Sequence, residues 1–347
     1  MDWPAPRSGA GPRQSADDQL GSLLMISLAA CGDSGTEEIR FGTGGTAGTY
    51  YSYGSALAEL TVADLPDAAF KVKTTAGSAA NIRLLGEGFL QLAFAQNDTL
   101  NDAAQKTGLF AQPGSSATIG DSVGYGAVAA LYTESCQVAV PANSGIASVA
   151  DLRGKTVGVG EEESGVLKNA DQILLAHGLT RQMLTPRYLS FSAAAEAMRD
   201  GELDAMFVTA GAPTSAIENL AGEMELRILN IDPEIIANLV ETYGYYTRCT
   251  IPAGTYPGQA DAVETVGVKS VLVASETLSA ETVQALTASL FDHAADLQYS
   301  APGDTRPDLE FATEGVSIPF HAGAINYYAL QGVTPASAES NAGGNAQ

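Results

Sequence analysis

The sequence predicts an α/β architecture in two lobes with a ligand cleft between them. Three observations carry the prediction. Short apolar or alternating runs recur along the chain, each followed by a helical pattern, which is the mark of strands alternating with helices. Several of these runs end in glycine, hydroxyl or amide residues at a helix start, and ligands of open parallel sheets sit outside the carboxyl ends of the strands. The same series begins again near residue 149, so that a second lobe repeats the first, as a ligand clamp requires. With 347 residues, 45% of them hydrophobic, and a mean hydropathy of +0.04, the chain is long enough for two cores.

The first strand-to-helix turn organises the rest. Ile39-Arg40-Phe41 reads as a strand, Ala56, Leu57 and Leu60 read as the apolar face of a helix, and between them lie Gly42, Thr43, Gly44, Gly45, Thr46, Gly48 and Thr49. Glycines let the backbone approach a bound group, and the helix that follows aims its free N–H groups and positive dipole end at the same place. Thr43, Gly44, Gly45, Thr46, Thr49 and Tyr50 are therefore candidates for holding an anion or a carboxylate. A tight turn that needs glycine only for its shape is the alternative.

The next elements repeat the logic. Phe70 to Thr74 alternates as a strand and leads into Thr75, Gly77, Ser78 and Asn81 at the opening of a helix. Leu90 to Ala95 is a third strand, ending at Gln96. Val123 to Tyr132 is a longer apolar strand suited to crossing between lobes, followed by Gln137 to Pro141. The second series runs from Val149 through a strand ending at Gly160, then Glu161-Glu162-Glu163-Ser164-Gly165 and a helix reaching Leu175. A helix over 192–200 precedes a buried strand that carries Thr209. Ser164, Gly165 and Thr209 are then the second lobe's candidate contacts, with Thr75, Gly77, Ser78, Asn81 and Gln96 those of the first. Val263 to Ala274 reads as a strand and Ala280 to Gln298 as a helix with Val283, Leu286, Leu290 and Leu297 on its apolar face. The reading places lobe I at 39–134 and 248–333, lobe II at 135–247, a leader at 31–38 and a disordered tail at 334–347.

Residues 1–30 read as a processing segment. Leu20 to Ala30 is an apolar run too short to span a bilayer and suited to a signal-peptide core, although Asp17-Asp18 stand where basic residues are usual. Leu28-Ala29-Ala30-Cys31 resembles a bacterial lipobox, which makes Cys31 the acylated N-terminus of a protein tethered to a membrane by lipid. The expected location is the periplasmic side of a bacterial cell membrane. In an exported protein the two remaining cysteines, Cys136 and Cys249, are candidates for a disulfide, and equally for small buried hydrophobes.

Charge and motifs narrow the function. A net charge of −23 with only 17 Lys and Arg excludes general affinity for nucleic acid. The spacing of Gly42, Gly44 and Ala47 matches a dinucleotide fingerprint, but the second strand ends in Thr74-Thr75 where a dehydrogenase needs an acid for the ribose. There is no Gly-x-Ser-x-Gly, no His-Glu-x-x-His and no Cys-x-x-Cys, and His177, His293 and His321 lack partners at ligand spacing. The sequence therefore predicts no catalytic residues, no metal and no cofactor. Glu161, Glu162 and Glu163 complement a helix dipole or, alternatively, mark a site for an amine or a cation.

Taken together, the Gly42 to Tyr50 turn, Thr75 to Asn81, Gln96-Asn97-Asp98, Asp151 to Lys155, Gly160 with Ser164-Gly165, Asp204-Ala205 with Gly211-Ala212-Pro213, and Ile251 to Tyr256 resemble the TAXI family in content and order. These are solute-binding proteins of tripartite ATP-independent periplasmic (TRAP) transporters. The resemblance spans residues 39 to 300 and implies a two-lobed periplasmic-binding-protein fold, type II-like, that closes on a small carboxylate. The implied ligand is a glutamate-like amino acid, a dicarboxylate or a 2-oxoacid, delivered by a monomer to an ion-driven TRAP membrane permease. The triple Glu before Ser164-Gly165 departs from the uncharged residues usual there. A lipid-anchored sensor of the same fold is the alternative function.

Overall fold

The computed structural model describes residues 36–111, 124–299 and 306–335. The segments expected to be a signal peptide and lipobox, with Cys31, and the part of the expected tail beyond residue 335 lie outside the described residues.

Strand-forming segments of the sequence combine into one mixed sheet. Its strands are β1 (Glu37–Gly42), β2 (Ala68–Lys73), β3 (Leu92–Gln96), β4 (Tyr125–Pro141), β5 (Thr156–Gly158), β6 (Thr185–Arg187), β7 (Ala205–Ala210), β8 (Leu226–Ile228), β9 (Thr247–Ile251) and β10 (Val263–Ser275). The order is β2-β1-β3-β10-β4-β7-β5-β6, with β8 on β4 and β9 on β10. β1 pairs in parallel with β2 and β3 in one half, and β5 pairs in parallel with β6 and β7 in the other. Between the halves run β4 and β10, antiparallel to each other. This is the expected α/β, two-lobed periplasmic-binding-protein fold.

Two features of the crossing differ from the sequence reading. β4 is one strand of 17 residues, not two segments, because nearly all of it is buried on both faces and no turn residue interrupts it. The return crossing is β10 itself and does not precede Val263: residues 263–267 pair with β9 in the second half, and residues 270–274 pair with β3 in the first. Accordingly β9 and the loop after it pack with the second half, where Ile251, Tyr256 and Val263 join the apolar cluster around Met206 and Val208. The boundary expected at residue 248 thus moves into β10. The helix expected over 280–298 stops at Asp292, and a short turn of helix, Ala294–Leu297, follows.

Each half has its own core. In the first, Phe41, Tyr53, Phe94 and Tyr132 are buried together with Val271 to Ala274, and the Phe41 and Phe94 rings lie 4.9 Å apart. In the second, Val138, Val157, Ile173 and Phe207 fill one face of the sheet, while Ala194, Met206, Val208 and Ile217 fill the other.

The expected Cys136–Cys249 pairing is not present: both thiols are free. Cys249 Sγ lies 3.0 Å from Ser135 Oγ, whereas Cys136 Sγ accepts from Thr209 at 3.6 Å. Ser135 and Cys136 are successive strand residues and point to opposite faces, so the two sulfurs are on different sides of the sheet. Of the two original readings, the buried small hydrophobe describes Cys136, which is 2% exposed. No helix among the described residues is long and apolar enough to cross a membrane.

Candidate functional site

Five helices begin at one place. They are α1 (Thr49–Leu60), α2 (Ser78–Gly86), α3 (Asn97–Gln105), α4 (Gly165–Ala176) and α5 (Phe191–Arg199). Their caps follow from the turn chemistry of the sequence. Gly48 and Gly77 precede α1 and α2 and offer no side-chain acceptor. Ser164 and Ser190 cap α4 and α5 by accepting from Leu167 N–H and Ala193 N–H. Gln96 ends β3 and precedes α3.

These ends enclose a cavity of about 60 Å³ between the two halves. A water needs roughly 10–15 Å³ in such a measure, so the space suits a small solute. From the first half come Gly44, Gly45, Thr49, Tyr50, Gly77, Ser78 and Gln96, and from the second Ser164, Gly165 and Thr209. All ten are residues the sequence singled out. The other four do not line the cavity. Thr43 is fully buried and turns its hydroxyl to Lys73 O at 3.0 Å. Asn81 donates to Thr43 O at 2.7 Å and Phe94 O at 2.8 Å, tying the glycine turn to β3, and Thr75 donates to Asn81 Oδ1 at 2.7 Å. These three side chains hold the loops that carry the lining residues. Thr46 lies in the turn itself, off the wall.

The wall also contains Glu161, which the sequence offered as an alternative site residue, and two residues that sequence reasoning missed, Glu134 and Phe191. Glu134 stands on β4 where it crosses between the halves, opposite Val268 of β10, and is 2% exposed. Its Oε2 accepts from Tyr50 O–H at 3.2 Å and from Gln96 Nε2 at 3.1 Å. Burial pushes the Glu134 carboxyl up to about 8, against the two hydrogen bonds, which favour the charged form. Burial, reinforced by the charge of Glu134, raises the Tyr50 hydroxyl as well. Glu161 is also raised by burial. Among the described residues the cavity wall carries these two carboxylates and no Lys, Arg or His. A signal for Glu134 existed: it is the single charged residue between Val123 and Pro141.

The halves touch on both flanks of the cavity. Glu163 of the triple Glu accepts a two-pronged contact from Arg83 of α2, at 2.8 Å for each pair, and its carbonyl accepts Ala80 N–H at 3.0 Å. The Arg83 hydrogen bond holds the Glu163 carboxyl below the usual range. Glu163 is thus a contact across the cleft, a role neither sequence reading foresaw. Thr49 Oγ1 accepts Gly211 N–H at 3.1 Å. Lys168 of α4 donates to Asp98 O at 2.6 Å, and Asn169 donates to the fully buried Asp98 carboxylate at 2.9 Å. At Gly165 the approach is so close that an added Cβ would lie 1.9 Å from Gln96 Oε1. In this structure the two halves are in contact around the cavity.

Residues 41–332 match the NMT1-like family. The chain belongs to the NMT1-like family. Solved structures show the same fold at low identity. A protein of Bordetella bronchiseptica RB50 is 18% identical, with a TM-score of 0.52 over 84% of this chain and 88% of that one. Tv2483, solved with L-arginine bound, is 12% identical, with a TM-score of 0.51 over 79% of this chain and 94% of that one. A structure described as a periplasmic transporter is 14% identical, with a TM-score of 0.50 over 78% and 88%. The match to the NMT1-like family covers both halves, all five helix starts and the cavity between them.

Proposed function

We propose that this NMT1-like protein is an extracytoplasmic solute-binding lipoprotein, anchored through Cys31, that captures a small carboxylate by lobe closure. It works as a monomer, without cofactor or catalysis, and delivers the solute to an ion-gradient-driven TRAP permease. The observation that carries the capture step is the convergence of five helix N-termini on one enclosed cavity. First-turn N–H groups and the dipole ends of those helices hold an anion without a buried cation, and charge-assisted hydrogen bonds of this kind contribute roughly 1.5–3 kcal/mol each. The uncapped starts of α1 and α2, at Gly44, Gly45 and Thr49 and at Gly77 and Ser78, receive the carboxylate. Gln96 supports it, and Ser164, Gly165 and Thr209 cover it from the second lobe. Delivery to a TRAP permease rests on the resemblance of the sequence motifs to the TAXI family.

A thermal-shift screen of amino acids, dicarboxylates and 2-oxoacids tests the capture step, since a ligand at a hundred times its Kd adds about 2.7 kcal/mol. Stabilisation by neutral sugars and by no carboxylate overturns it. Uptake by cells that lasts through ATP depletion and stops when ion gradients collapse supports the permease assignment, and the opposite pattern rules it out. Mass spectrometry of membrane-extracted protein tests the anchor: an unmodified N-terminus upstream of residue 31 refutes it.

A further inference from the structure

The cavity has a wall for an anion and a floor that repels one. Glu134 lies at the crossing of β4 and β10, buried, with its Oε2 saturated by Tyr50 and Gln96. Its Oε1 receives no hydrogen bond from the protein and borders the cavity. Beside it, Gln96 gives its amide hydrogens to Glu134, which turns Gln96 Oε1 the other way, and that oxygen is buried with no donor. Flipping the amide would set its oxygen against the carboxylate, so the orientation is fixed by chemistry. One acceptor at the cavity, Glu134 Oε1, is therefore left without a donor, and Gln96 Oε1, packed against Gly165, is left without one behind the wall, which buried polar groups rarely are. The described wall contains no Lys, Arg or His to answer them.

We propose that the ligand itself supplies the missing donor: it is a zwitterionic amino acid whose ammonium is held by Glu134 while its carboxylate lies at the helix N-termini. An ammonium brings donors and one positive charge, which answer the free Oε1 of Glu134 and keep that carboxyl ionised. A dicarboxylate or 2-oxoacid of the same size brings no cation to Glu134 and is accommodated only with that carboxyl held protonated, so it gains no ion pair there. Glu134 is thus the residue that selects amino acids from their 2-oxo analogues. The groups facing it agree with this assignment: Tyr50, Tyr132, Cys136 and Asp98 are near enough to interact, and none is a cation.

This inference rests on the carboxylate-capture reading, and matched probes separate the two. Titration calorimetry is run with an L-amino acid that stabilises the protein, its 2-oxoacid, and its decarboxylated amine, against wild type and Glu134→Gln. The expected result is that wild type binds the amino acid at least 100-fold more tightly than the 2-oxoacid. Glu134→Gln weakens the amino acid by at least 30-fold and tightens the 2-oxoacid, with the ligand-free Tm no lower than wild type. A 2-oxoacid bound by wild type as tightly as the amino acid, or both ligands weakened equally by Glu134→Gln, overturns the role of Glu134 and leaves carboxylate capture standing. An amine bound as tightly as the amino acid refutes carboxylate capture and keeps Glu134. Failure of every probe to bind refutes both.

Discussion

Gly165→Ala is a wedge placed where the two lobes meet. In the closed form the new methyl would lie 1.9 Å from Gln96 Oε1, 2.5 Å from Gln96 Cδ and 3.1 Å from Ser78 Oγ. Gln96 can yield only by giving up its 3.1 Å hydrogen bond to Glu134, because its amide is buried and held there. Overpacking of a buried seam costs about 1–3 kcal/mol, and a hydrogen bond to a charged group contributes about 1.5–3 kcal/mol. Together the closed form loses roughly 2.5–6 kcal/mol, equivalent to a loss of affinity of about 60-fold to about 10⁴-fold at 1.4 kcal/mol per decade. The lobe that carries the residue is spared: Gly165 is the first position of α4, its φ is not in the left-handed region, and alanine is the better helix former. Calorimetry with the ligand found by the screen measures the affinity, and small-angle scattering reports compaction at saturating ligand. Affinity within threefold of wild type, or a fall in ligand-free Tm large enough to account for the loss, refutes the wedge.

Other consequences can be tested on the same preparation. Glu134 takes up its proton more readily when folded than when unfolded, so its stabilising contribution is full below the unfolded value near 4.5 and lost as pH rises through about 8. The ligand-free Tm should fall across that window, by at most on the order of 5 kcal/mol of stability, and Glu134→Gln should flatten the slope; an unchanged slope contradicts the burial of this carboxyl. Arg83→Ala removes a contact whose side chains are 38% and 42% exposed, so it should weaken binding by less than about 1 kcal/mol, and less at high salt. A tenfold loss would show the pair to be more than a surface contact. Asn81→Ala removes a donor to Phe94 O and one of two to Thr43 O, which keeps the Thr75 hydroxyl at 2.8 Å, and should lower stability by about 1–3 kcal/mol, at roughly 0.5–1.5 kcal/mol per hydrogen bond, with denaturant titration as the readout.

What the sequence made legible was the backbone, and what it hid was which way side chains point. Glycine-rich turns between an apolar run and a helical pattern show themselves in one dimension, and so Gly44, Gly45, Ser78, Gln96, Ser164 and Gly165 were found. Thr43, Thr75 and Asn81 occupy the same loops, but their side chains turn inward to bond backbone carbonyls or one another. No spacing rule separates a hydroxyl that faces a ligand from one that braces a loop. Glu134 falls between the two segments read from the sequence, Val123 to Tyr132 and Gln137 to Pro141. An acid within a strand buried on both faces is better read as a site, since burying a carboxylate has to be answered by something. The role of Glu163 needed its partner Arg83, which is distant in sequence.

The position of Glu134 also links chemistry to motion. Both groups that hold its Oε2, Tyr50 and Gln96, belong to the first lobe. Glu134 therefore moves with that lobe, although it sits where the two crossing strands pass from one half-sheet to the other. Next along β4, Ser135 and Cys136 already pair with Ala210 and Thr209 of β7 in the second lobe. Under the proposed closure, Gly165 and Thr209 would cover a site whose acid was in place beforehand, and what would change on closing is the exclusion of water. In that arrangement a solute whose cation pairs with Glu134 lowers the free energy of the closed form, because it lets the buried carboxyl ionise against a partner. A solute that leaves the charge unanswered favours the open form, in which water reaches it. Selection and closure are then one step, governed by whether the ligand satisfies the residue at the crossing.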